Sequence, residues 1–334
     1  MIYILFFLTI QSFIFTQISE GYTLFTPFSD GNEINSYLLN TEGETIHTWT
    51  HERAPASMPY LLNDSTIIYP YRVLEPTMVA GGVGGGVKKI DWDGLVIWDY
   101  QFSNDTYQHH HDIEPLPNGN ILLVVWEKKS SVEAYAMGRQ VINNPLNQMW
   151  STAILELNPT TGNIDWEWHL WDHLIQDISD EYPNYGNISQ NPQLFDINCG
   201  SVGNMAGGPQ GANGDWMHIN AIDYNDELDQ IVISSRTQNE IYIIDHSTTI
   251  AEAAGHSGGN SGRGGDFLYR WGNPANYNNG TESDRILHSQ HGVNWVPDGY
   301  PGNGNLILFN NFHDQGQSAV LELSPPLNNS LTYD

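Results

Sequence analysis

Three short stretches place imidazoles where they can do chemistry: "QHHHD", with His109, His110 and His111; "DWMHINAID", with His218 and Asn220; and "SQHGV", with His291. Imidazole titrates near neutral pH, so it carries protons readily, and its neutral form is a nucleophile. "DWMHINAID" reads as a strand, Met217, Ile219 and Ala221 alternating with His218 and Asn220. A period of two places His218 and Asn220 on one face. An imidazole and an amide are costly to bury without partners, so that face calls for something to look at. In "HHH" the same period sets His109 and His111 together and His110 opposite them.

A metal centre is one chemistry for such histidines. No Asp/Glu/His set at ligand spacing accompanies the tripeptide, and no metal is expected there. The single cysteine, Cys199, excludes an internal disulfide and any Cys-rich metal site, and reads as a buried or inert thiol. The run "GGVGGGVKK" (81–89) matches neither a phosphate loop nor a dinucleotide fingerprint, and reads as a flexible connection bordering the site. Glu114 and Glu127 read as strand residues rather than a glycosidase pair, and "DWDGLVIWD" is too short for a calcium loop.

The charge narrows the partners. The chain carries 11 Lys and Arg against 39 Asp and Glu, a formal −28. That excludes nucleic acid and an anionic membrane surface as partners. An anionic substrate would need a local cluster of histidine and arginine, making the entrance locally positive. The opening "MIYILFFLTIQSFIFTQ" reads as a signal peptide, with residues 1–20 removed and 21–334 forming the mature domain. A periplasmic or secreted location follows.

The elements that must position these histidines are strands. Eleven Trp and 17 Tyr, with 32 Gly and 17 Pro, point to an all-β chain. "YLLNTEGETIHTW", "KKIDWDGLVIWDY" and "ILELNPTTGNIDWEW" are hairpins turning at Gly43, Gly94 and Gly162. "IYIIDHS" and "DFLYRW" form the same hairpin with a long insertion. Between them recurs a second pair of strands: "MPYLLNDSTIIYP", "HDIEPLPNGNILLVVW", "HINAIDYNDELDQIVISS" and "HGVNWVPDGYPGNGNLILFNN". Four strands per repeat predict a β-propeller with the second unit innermost. His111 and His291 each precede a proline, Pro117 and Pro297, by six residues, and His218 precedes Tyr224 by six. That register aims three imidazoles at one end of the central channel. Three full blades, most of a fourth and an N-terminal hairpin around Leu38 to His51 are visible. The hairpin is expected to complete the last blade of a ring incomplete at the C-terminus.

"HHDIEPLPNGNILLV", "DWMHINAIDYN", "ISSRTQNEIYIID" and "SQHGV" resemble, in the right order, the bacterial arylsulfate sulfotransferases. The resemblance runs from about residue 20 to the end. It implies a six-bladed propeller with its site in the central channel. The implied reaction moves a sulfuryl group from a phenolic sulfate ester to a phenolic acceptor by a ping-pong route, through a sulfated histidine. No nucleotide sulfate donor, metal or other cofactor takes part. Carried over by motif, His291 is the nucleophile, His218 and Asn220 form the "HIN" pair, and Arg236 is the arginine of "SSRTQNE". The "HHD" histidine is His111 or, in competition, His110; the blade register prefers His111.

The residue types suit that chemistry. An aryl sulfate is a monoanion, and its transfer is governed by positioning and charge stabilisation. Arg236 supplies an always-charged fork, and His218 and Asn220 supply donors to sulfate oxygens. His111 would protonate the departing phenolate and later deprotonate the acceptor, while channel aromatics stack on the aryl ring. A propeller that binds a ligand or protein without catalysis, its histidines a polar plug, is the competing reading. A metal-dependent hydrolase would need carboxylates beside the histidines.

Overall fold

The computed structural model describes residues 21–27, 33–208, 211–314 and 316–333; the expected leader, residues 1–20, lies outside them. The architecture is all-β and propeller-like, with very little helix. Five antiparallel sheets follow one another along the chain. The first holds Thr23–Phe25, Ile34–Leu39 and Thr45–His51. The second, third and fourth are four-stranded and open on Tyr60–Leu61, Tyr107–Pro115 and Ile219–Asn225. The fifth is three-stranded: His291–Trp295, Leu306–Asp314 and Gln317–Leu323. The described residues therefore make five sheets of three or four strands, not six of four.

Each sheet is a meander in which consecutive strands are neighbours, joined by tight turns or, in sheets two, three and four, also by longer connections. The tight turns carry glycines in the left-handed region, as at Gly43, Gly94, Gly119 and Gly162, and each strand pairs with the next. The split hairpin is as expected: Glu240–Asp245 pairs with Tyr269–Trp271 across the insertion. Inside that insertion, Thr249 and Glu252 close a capping box on the short helix Ile250–Ala253.

The N-terminal hairpin departs from expectation. It belongs to a sheet of its own, because Thr23–Phe25 pairs with Ile34–Leu39 and supplies a third strand. Trp49 is buried against the second sheet, its indole N–H donating to the Asp91 carbonyl at 2.9 Å. Apolar clusters join sheet one to two, two to three, three to four and four to five.

The opening strands of sheets three, four and five pack side by side at the centre. Buried carboxylates tie them together. Asp112 accepts from Ser57 Oγ (2.9 Å), the Tyr60 hydroxyl (3.0 Å) and the Ile222 N–H (3.3 Å), spanning sheets two to four. Asp223 accepts from the Trp295 N–H at 2.6 Å, linking sheets four and five. Burial pushes the Asp112 carboxyl up to about 6 and that of Asp223 up to about 7. Glu114, a strand residue as expected, is likewise pushed up by burial and by these neighbours.

Sheet four also holds a buried ion pair that its local pattern does not announce. Arg270 donates from Nε (3.0 Å) and Nη2 (2.7 Å) to the Glu240 carboxylate, and its guanidinium lies 4.1 Å from the Tyr277 ring centre. Removing one partner strands the other charge in the core. Arg270→Ala is therefore expected to cost about 3–5 kcal/mol of folding stability, read as a lowered denaturant midpoint. A loss below about 0.5 kcal/mol, the range of ordinary surface changes, would refute this account.

Candidate active site

The histidines sit where the central strands break their own period. His111 and His218 adopt the left-handed region, with φ of 53° and 49°. Such a backbone costs a non-glycine residue about 1–3 kcal/mol and collects at functional sites. The ladders are irregular at His109/Ile113, Ile219/Ala221 and His291/Asn294. Bulges of this kind re-aim side chains. The expected alternation therefore fails in "HHH". His110 and His111 are not on opposite faces; their Nδ1 atoms are 2.8 Å apart, one of them carrying the proton.

The register is also looser than the sequence spacing implies. His111 and His291 each stand four residues before the last paired residue of their strand, Pro115 and Trp295. His218 stands seven before Asn225. The strand ends in sheets three and five match, whereas sheet four places its histidine ahead of the strand. The rings still meet: those of His111 and His218 lie 4.6 Å apart, edge to face.

A closed set of contacts holds this pair. His110 is fully buried and stacks on Trp126, ring centres 4.1 Å apart. The Trp126 indole donates to Asp215 Oδ1 at 3.0 Å, and Asp215 Oδ2 takes Nδ1 of His218 at 2.5 Å. Asp215 also accepts the His218 N–H at 3.2 Å. A carboxylate on Nδ1 sets the tautomer and leaves Nε2 for chemistry. Neither Asp215 nor Trp126 was singled out in the sequence. The aspartate three residues before His218 was the available signal, but only the turn brings it back onto the ring.

The glycine run is an ordered wall, not a flexible connection. Gly82 accepts the His111 N–H at 2.6 Å, Val83 bridges His110, and the Gly84 N–H donates to the His109 carbonyl at 3.2 Å. His109 turns away from the others, its Nδ1 accepting from the Gly85 N–H at 3.0 Å. A Cβ on Gly82 would fall 2.1 Å from Nε2 of His111, and φ there is +74°. Gly82→Ala is therefore expected to displace the His111 ring and lower activity at least tenfold with secondary structure retained. Circular dichroism and turnover check this; unchanged turnover would count against it.

His291 arrives from sheet five. Its Nδ1 lies 3.0 Å from the Ser289 carbonyl and 2.8 Å from Nδ2 of Asn311, which donates to the same carbonyl at 2.6 Å. With the proton on Nδ1, donated to Ser289, the Nε2 lone pair is free; with Asn311 donating to Nδ1, the proton sits on Nε2. The residue after it, Gly292, has a φ of +63°, a backbone that favours glycine. Asn311 had no sequence signal, being one asparagine among many. Asn220 donates to the Gln290 carbonyl at 2.7 Å, tying sheet four to the residue before His291. Arg236 is half-buried beside His218, its N–H donating to the His218 carbonyl at 3.2 Å. It forms no ion pair among the described residues.

Burial, with the charges of His218, His291 and Arg236, holds His111 well below the ordinary histidine value. Burial and neighbouring imidazoles do the same to His110. His291 is lowered too, by burial first and then by Arg236 and His218. Among the groups expected to make the entrance positive, burial and crowding thus disfavour the charged form of His111 and His291, whereas Arg236 keeps its charge. Cys199 fits its reading as inert: burial pushes its thiol up to about 12.

The described residues thus form a propeller-like all-β fold whose central strands carry a crowded histidine cluster with Arg236 beside it. A sequence model of the arylsulfotransferase (ASST) family matches residues 18–333. The chain belongs to that family and has an arylsulfotransferase-type function. No curated protein matches it. Among solved structures it overlaps a Bacteroides caccae protein of unknown function at 14% identity, covering 91% of this chain and 90% of that one, with a TM-score of 0.38. It also overlaps a luciferin-regenerating enzyme at 8% identity, with coverages of 87% and 65% and a TM-score of 0.40. The Dos1 propeller overlaps at 9% identity, with coverages of 89% and 57% and a TM-score of 0.33. These overlaps are loose, and the family assignment rests on the sequence match.

Proposed function

We propose that this protein transfers a sulfuryl group from an aryl sulfate to a phenol by a ping-pong route through a sulfated His291, without a nucleotide sulfate donor. The observation that carries this reading is that half-exposed His291 and Arg236 lie near enough to the touching His111–His218 pair for their charges to act on one another. In the first half-reaction Nε2 of His291 attacks sulfur, the aryl oxygen–sulfur bond breaks, and the phenolate leaves with the electron pair and takes a proton from the cationic form of His111, which the arriving sulfate monoanion favours over the neutral ring of the empty site. In the second, the acceptor phenol returns a proton to His111 as its oxygen attacks sulfur, and the nitrogen–sulfur bond breaks. Arg236 balances charge on the sulfate oxygens, and His218, its Nδ1–H held by Asp215, donates to them from Nε2 when it carries both protons. Asn220 faces the substrate through the N–H not used on Gln290, whereas His110, expected beside the substrate, is fully buried behind His111 and can act only through it.

The lowered value of His291 sets the pH dependence. Burial first, and the cationic Arg236 to a lesser extent, disfavour the protonated ring, so its lone pair stays available below pH 6.5, the ordinary histidine value. The acid limb of kcat/KM is expected below pH 6.5, and in Arg236→Ala it should move up towards that value. A wild-type limb above 6.5 would refute the assignment.

The apolar first 17 residues support export to the periplasm or exterior. The direct test of function is incubation with a chromogenic aryl sulfate, with and without a phenol acceptor. Phenol release that depends on the acceptor and yields the sulfated acceptor supports the reading. Failure of the folded protein to release phenol or sulfate the acceptor would sink it.

A further inference from the structure

Away from the central histidines, three donor groups meet where sheet three touches the insertion of sheet four. His173 ends the short 3-10 turn Leu170–His173 that follows the outermost strand of sheet three, Ile164–His169. His256 and Asp266 belong to the insertion that follows the helix Ile250–Ala253. Their candidate ligand atoms all lie within 4.8 Å of one another. Asp266 Oδ1 is 2.8 Å from Nδ1 of His173 and 2.7 Å from Nδ1 of His256.

The protons around His173 pose the question. Its Nε2 lies 2.8 Å from the Ala253 carbonyl, which only accepts, so Nε2 carries a proton. A neutral ring then turns the lone pair of Nδ1 towards a carboxylate oxygen. A cation at that point resolves the conflict: either a second proton on the fully buried ring or a metal ion between the three groups. The surroundings favour the metal. A metal-bound histidine commonly donates its other N–H to a carbonyl, as His173 does to Ala253. The His173 ring is fixed by a parallel stack on Trp168, 5.8 Å between centres, and by Gly265, where a Cβ would fall 2.6 Å from Nε2.

His256 is largely exposed and lines a cavity of about 580 Å³ with Asp172 and Tyr185, which provides an entrance and room for a water ligand. Tetrahedral zinc holds its nitrogen and oxygen ligands at about 2.0–2.2 Å, so they stand on the order of 3.3 Å apart. Opening the present contacts by roughly half an ångström would admit the ion.

We propose that His173, His256 and Asp266 form a binding site for one divalent transition-metal ion of the zinc class, clasping the insertion of sheet four to the end of sheet three. Two imidazoles and a carboxylate suit zinc rather than magnesium or calcium, and the acidic exterior draws divalent cations inwards. The site is separate from the sulfuryl centre and does not rest on the function proposed for it.

The test uses the full chain without a histidine tag, stripped with chelator and dialysed. Zinc titration followed by calorimetry is expected to show one tight equivalent. Cobalt should give the visible absorption of a tetrahedral site. His256→Gln, at an exposed position where folding is unaffected, should lose that equivalent and the cobalt band. It should also lose the rise of a few degrees in Tm that zinc gives the wild type. His291→Gln, at the sulfuryl centre, should retain all three. Absence of a tight equivalent in the wild type, its persistence in His256→Gln, or its loss in His291→Gln would each overturn the proposal.

Discussion

His291→Ala is expected to abolish sulfuryl transfer while leaving the protein folded. The expectation follows from position and chemistry together. The ring is half-exposed, so its removal opens no core cavity. Without the imidazole no nitrogen–sulfur bond forms, and a ping-pong route has no second half. The wild type, exposed to an aryl sulfate donor without acceptor, should carry a sulfuryl adduct on His291, detected by mass spectrometry of a digest kept above acidic pH. Full turnover in His291→Ala, or the adduct on another residue, would overturn the assignment of the nucleophile.

His111→Ala is expected to slow both half-reactions by roughly 10²–10⁴-fold, the usual contribution of a general acid–base group. Its Nδ1 is linked to His110 and its ring abuts His218, so it can pass protons without leaving the site. The competing assignment, His110, has a different signature. His110 is fully buried and stacked on Trp126. His110→Ala should therefore lower stability by about 2–5 kcal/mol, as for other large core truncations, in addition to any loss of rate. Single-turnover release of phenol and turnover of the sulfated enzyme with acceptor separate the two halves. If His111→Ala slows neither half, or if only His110→Ala does, the proton carrier is His110.

The repeat of apolar strands and Gly/Asn/Asp turns is local, and it was legible along the chain. The hairpins turning at Gly43, Gly94 and Gly162 are present, and so is the split hairpin that carries the insertion. Placing His111, His218 and His291 at the central strands needed only that pattern. The side chains they meet there needed more. A period of two holds while the backbone stays extended, and it ends at His111 and His218, where φ turns positive. The sign of φ at a histidine is decided by what packs around it: Gly82 against His111, Asp215 and Trp126 around His218.

Sheet count and membership were beyond local pattern for the same reason. Thr23–Phe25 gives the N-terminal hairpin a third strand of its own, a pairing no residue in Leu38 to His51 announces. Long-range partners left the least trace. His173 and Asp266 meet across 93 positions, and Trp126 and Asp215 across 89. The sequence by itself determined an all-β repeat, its acidic surface and the strands that carry the histidines, because composition and strand period are properties of short segments. Only the tertiary structure decided which rings touch, which stay neutral and which carboxylates orient them, because burial and contact are properties of the assembled sheets.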